Sequence, residues 1–143
     1  MKIPGLNEIE SAAEIVYREM PPTPQYRWPM LSDRLGTEIW VKHENQTPVG
    51  AFKIRGGLNL FANLERTGAL PGGVISATRG NHGQSIAYAA RRYNVPATIV
   101  VPHGNSAEKN AAMRALGAEL IEEGDDFQAS LCLLYTSPSP RDS

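Results

Sequence analysis

Apolar residues at Ile9, Ala13, Val16 and Met20 recur at steps of four, three and four, which lines one face of a helix over residues 6 to 20. Pro21, Pro22 and Pro24 end it, because proline lacks the amide hydrogen of a helix interior and disfavours helical geometry in the residue before it. An irregular, extended connection is expected from there to about residue 30. The run EIWVKHE at 38 to 44 sets Ile39 and Val41 against Trp40, the alternation of a strand, and TPVGAF then supplies turn residues. From Lys53 to about Arg66 the helical period returns at Ile54, Leu58, Phe61 and Ala62, and Gly68 stands where a cap would close that helix.

Beyond Gly72 the pattern changes. Short β-rich runs at 74 to 77, 97 to 101 and 119 to 121 alternate with helical stretches at about 82 to 94 and 106 to 116, which predicts an α/β fold built of parallel βαβ units. Ser106 is suited to cap the second of these helices, and Gly117 and Gly124 punctuate the units after it. A further helix is expected to begin near Asp125. The apolar cluster and two Ser-Pro pairs of LCLLYTSPSPRDS replace its pattern, so residues 131 to 143 are expected to be a non-native tail outside the fold.

With 143 residues the chain has room for one domain with a real core. A net charge of −1, with 20% charged and 41% hydrophobic residues, leaves no basic field to attract nucleic acid or an anionic membrane. No stretch approaches the ~20 apolar residues of a spanning helix, and the N-terminus lacks the apolar core of a signal peptide, so a cytoplasmic location is expected. Cys132 is the only cysteine; it cannot form an internal disulfide, and no metal site is expected around it.

Two segments carry the chemistry. In AFKIRGG, at 51 to 57, Lys53 enters a helix among the small and apolar Ala51, Phe52 and Ile54. A lysine amine is nucleophilic only when deprotonated, so a Schiff-base lysine needs surroundings that disfavour its charged form. Gly56 and Gly57 each cost about 1 kcal/mol relative to alanine in a helix, which points to a close neighbour that leaves no room for side chains. In TRGNHGQS, at 78 to 85, glycines bracket Asn81 and His82 between a strand-like and a helix-like run. Free backbone amides and the helix dipole favour an anion at such a junction. Thr78 and the amides around Gly80 could hold a carboxylate, and Asn81 a ring hydroxyl. Turn geometry and capping account for the same Asn and His equally well.

Together these segments resemble the fold-type II, or tryptophan synthase β-like, pyridoxal-phosphate enzymes, and most closely the threonine/serine dehydratases. The resemblance runs from about Pro21 to Ser130. It implies that residues 1 to 66 form the N-terminal segment of the larger domain, that 67 to 130 form a small, incomplete, doubly wound βαβ domain, and that the C-terminal half is missing. It implies pyridoxal 5'-phosphate as cofactor, with Lys53 binding its aldehyde and acting as base on the substrate α-carbon, Phe52 flanking the ring and Asn81 bonding its hydroxyl. Thr78, Arg79, Gly80, Asn81 and His82 would form the loop that closes on the substrate carboxylate. Arg79 departs from the small residue usual at that place, and is expected either to contact an acidic substrate or to point to solvent.

The implied reaction is β-elimination of L-threonine to 2-oxobutanoate and ammonia, by a full-length form that is a homo-oligomer acting on a small amino acid. Serine racemase and 3-hydroxyaspartate ammonia-lyase share these motifs and are the alternatives. A third is a truncated, inactive fragment, since the glycine-rich loop for the cofactor phosphate would lie in the half this chain lacks.

Overall fold

The computed structural model describes residues 3–126 and 128–129. Packing divides the chain into two units, Met1–Phe52 and Lys53–Ser143.

In the first unit, α1 (Leu6–Glu19) opens at Gly5, whose N–H donates to the Glu8 carboxylate at 2.7 Å. It closes at Met20, extended at φ −152° and ψ 146° ahead of Pro21. Of the expected apolar face, Val16 and Met20 are buried while Ile9 is 55% exposed. The connection expected to be irregular instead contains β1 (Gln25–Arg27) and α2 (Pro29–Leu35). Pro29 suits the first turn of α2, where its missing N–H costs nothing, and Gly36 at φ 66° ends it in the left-handed conformation. β1 pairs antiparallel with β2 (Trp40–Lys42), Tyr26 opposite Val41. The strand expected over 38 to 44 is shorter because the Ile39 N–H donates to Ser32 Oγ (2.9 Å) and a 3₁₀ turn, Glu44–Gln46, begins just beyond. Trp28 and Trp40 stand half exposed on this hairpin.

The second unit begins with α3 (Ile54–Arg66), closed by Gly68 at φ 67°. Then β3 (Val74–Ala77), α4 (Asn81–Arg92), β4 (Ala97–Val101), α5 (Ala107–Ala115) and β5 (Glu119–Glu122) alternate as expected. The strands form one parallel sheet in the order β3-β4-β5, with Val74 beside Ala97 and Thr98 beside Glu119. Central β4 is apolar except at Thr98, and its other four residues are buried, those of both faces among them. Ile99 and Val101 pack with Ala87, Ala89 and Ala90 of α4, Met113 of α5 and Phe61 of α3 in a single core. Ser106 caps α5, its hydroxyl accepting from the Lys109 N–H at 3.4 Å.

The family resemblance implies a boundary between 66 and 67; the division by packing falls between Phe52 and Lys53, because α3 packs on α4. Cys132 and residues 131 to 143 lie outside the described residues, as does most of the helix expected from Asp125.

Candidate active site

Lys53 is the N-cap of α3, at φ −60° and ψ −23°, and its side chain is exposed while the adjoining Ile54 is fully buried. Its carbonyl is fixed from three directions. The N–H groups of Gly56 (3.1 Å) and Gly57 (3.3 Å) reach it along the helix, and Ser85 Oγ donates to it at 2.6 Å from α4. A side chain on Gly57 would close this approach, since a Cβ there would stand 2.5 Å from Ser85 Oγ and 2.9 Å from the Ser85 carbonyl oxygen. Gly56 faces open space. The close neighbour expected from the Gly-Gly pair therefore exists at Gly57 alone.

The loop after β3 leads into the start of α4, one turn before Ser85. Thr78 is buried, its N–H extending the sheet to the Val100 carbonyl (3.0 Å) and its Oγ1 accepting from the Gly80 N–H at 3.2 Å. Gly80 lets the Lys109 side chain pass close, for a Cβ there would be 2.6 Å from Lys109 Cδ and 3.1 Å from Nζ. Gly83 does the same for the core, where a Cβ would meet Met113 Sδ and Thr78 Cγ2 at 2.5 Å. These two contacts seat the loop against the sheet and present the first turn of α4, with the N–H groups that a helix start leaves without intrahelical partners, to solvent. Asn81, His82 and Arg79 are exposed.

Partial burial of the imidazole first, and then the nearby charge of Lys53, lower the pKa of His82 below 6.5 although the residue remains largely open to solvent. Lys53, Thr78, Arg79, Gly80, Asn81 and His82 thus all lie in the second unit, with Lys53 tied to α4 and the other five at its entrance. Phe52 is the last residue of the first unit and is 61% exposed. Sequence reasoning passed over Ser85 and Lys109. Ser85 is the final letter of TRGNHGQS, and its place four residues beyond Asn81 on the same helical face was the available signal.

A family model described as "Pyridoxal-phosphate dependent enzyme" matches residues 16–134. The chain belongs to that family. Among its relatives, the L-threo-3-hydroxyaspartate ammonia-lyase of Saccharomyces cerevisiae is 40% identical over 121 residues, 85% of this chain and 37% of that protein. The mitochondrial threonine dehydratase of Schizosaccharomyces pombe is 38% identical over 112 residues, 78% of this chain and 18% of that protein. The solved structure of the processed threonine deaminase isoform 2 from Solanum lycopersicum superposes with a TM-score of 0.73 at 35% identity, covering 89% of this chain and 38% of that one. The chain's α/β architecture is therefore that of fold type II over part of its relatives' length, and the family's cofactor is pyridoxal phosphate.

The residues present fit that cofactor at its reactive end. An exposed lysine amine at the start of α3, an exposed carboxamide at the start of α4, the Thr78 hydroxyl and the helix-start amides are the donor types such a group could use. Among the described residues no helix is long and apolar enough to cross a membrane.

Proposed function

We propose that the whole protein is a pyridoxal-phosphate dependent ammonia-lyase that eliminates water from L-threonine, the released enamine then being hydrolysed to 2-oxobutanoate and ammonia. The observation that carries this reading is the coupling of Lys53 to the helix whose first turn holds Asn81 and His82. Pyridoxal phosphate, when bound, supplies an electron-accepting ring conjugated to the substrate nitrogen. The Lys53 amine holds the cofactor and takes the α-proton. Asn81 hydrogen-bonds the ring hydroxyl. Thr78 and the amides from Gly80 to His82 receive the substrate carboxylate, where the dipole of α4 favours an anion. His82, its cationic form disfavoured, leaves the positive charge at the site to Lys53 and the helix. Phe52 is assigned to flank the ring by the family resemblance alone.

A second substrate is favoured by one feature. Arg79 puts an exposed cation on the carboxylate-binding loop, suited to the extra carboxylate of 3-hydroxyaspartate, the substrate named for the yeast relative. Taken alone, the 143-residue chain is expected to bind cofactor weakly and turn over neither substrate, since it spans only a minor part of the relatives it matches.

Borohydride reduction of the chain with pyridoxal phosphate, followed by peptide mapping, tests the cofactor role. Label concentrated on Lys53 is expected; label spread evenly over Lys2, Lys42, Lys53 and Lys109 would refute it. In the whole protein, threonine should be turned over in preference to hydroxyaspartate. The reverse preference, abolished by Arg79→Ala, would establish the second substrate.

A further inference from the structure

A serine inside a helix ordinarily returns its hydroxyl to a carbonyl one turn back in the same helix. Ser85, in the second turn of α4 and only 1% exposed, sends its hydroxyl instead to the Lys53 carbonyl, 32 positions away in sequence and 2.6 Å away in space. That carbonyl is the first acceptor of α3, the place from which a helix frays. Gly57 is bare where Ser85 crosses, and Ala89 would stand 3.4 Å from a Cβ there, so the two helices touch backbone to side chain over a full turn. The α4 end of this contact is one turn from Asn81 and His82.

We propose that Ser85 is a positioning residue for Lys53: its hydroxyl, bonded to the Lys53 carbonyl across the bare backbone of Gly57, fixes the lysine to the helix that carries Asn81 and His82. The lysine and the anion-binding loop then move as one body. The inference rests on the reading of Lys53 as the cofactor-binding lysine, and it concerns how that residue is held.

The test compares the 143-residue chain with its Ser85→Ala and Ser85→Cys variants, the thiol being a weak donor of similar size. Amide hydrogen exchange at Gly56 and Gly57 should quicken about tenfold in both, while Ala89 and Ala90 in the interior of α4 keep their rates. The His82 imidazole, which feels the Lys53 charge, should titrate at a higher pH, and the share of phosphopyridoxyl label on Lys53 should fall severalfold. Unchanged exchange at Gly56 and Gly57 would overturn the proposal. So would faster exchange throughout α4 in both variants, which would give Ser85 a role in the fold alone. Absence of selective Lys53 label in the parent chain would defeat the cofactor reading, and the exchange rates would still decide whether Ser85 holds the lysine.

Discussion

Replacing Gly57 and Gly56 by alanine should move stability in opposite directions, although the two are neighbours in one helical turn. Each change removes a helix-interior glycine, which alone stabilises by about 1 kcal/mol. At Gly56 nothing lies within 4 Å of the new methyl, so the gain is kept. At Gly57 the methyl would stand 2.5 Å from Ser85 Oγ and 2.9 Å from the Ser85 carbonyl oxygen. The hydroxyl can rotate away, with loss of its bond to Lys53, at about 1 kcal/mol. The carbonyl belongs to the backbone of α4 and retreats only if the helix does, an overpacking cost of about 1–3 kcal/mol. Gly57→Ala should therefore be destabilised by about 1–3 kcal/mol and Gly56→Ala stabilised by about 1 kcal/mol. In thermal unfolding followed by far-ultraviolet circular dichroism, each kcal/mol is worth roughly 4–8 °C for a unit of this size. Equal melting temperatures for the two variants would refute the close approach of α3 and α4.

Two further outcomes depend on single groups. The folded chain binds the His82 proton less readily than the unfolded chain, so this residue destabilises the fold increasingly as pH falls below 6.5 and has no effect well above it. His82→Asn should flatten that part of the stability profile, and Lys53→Met should raise the imidazole titration seen by NMR; an unmoved titration would show that the lysine charge does not reach it. In the first unit, buried Thr47 accepts from the Ala51 N–H and donates to the Ala51 carbonyl, both at 2.9 Å. Thr47→Val should cost about 1–3 kcal/mol by calorimetry and Thr47→Ser much less, because the valine leaves both backbone groups unpaired.

The parallel units were legible because their signals are local. A mostly apolar, β-branched run such as Ala97–Val101 reads as a covered strand, and Ile54, Leu58 and Phe61 fall on one face and are all buried. β1 and α2 were missed because three prolines dominated the reading of that stretch, although Pro29 and Gly36 are the start and stop residues of a short helix. Candidate site residues could be picked out from glycine spacing, but not what holds them. The bond from Ser85 to Lys53 joins residues whose closeness exists only once α3 has packed on α4, and no periodicity encodes it. The exposure of Lys53 likewise departs from what its apolar neighbours suggested, since Ala51 and Ile54 turn inward while the lysine between them does not.

Both tryptophans of the sequence, Trp28 and Trp40, sit on or beside the β1–β2 hairpin, and the unit that carries Lys53 contains none. Their emission is consequently a private signal of the hairpin's surroundings, already partly quenched by water because each ring is half exposed. Excitation at the red edge selects these two rings, whereas tyrosine absorbs in both units, at Tyr17 and Tyr26 in the first and at Tyr88 and Tyr93 on and beside α4 in the second. A denaturation curve recorded on tryptophan emission is thus a curve of the surroundings of Trp28 and Trp40, and melting of the second unit needs a signal of its own.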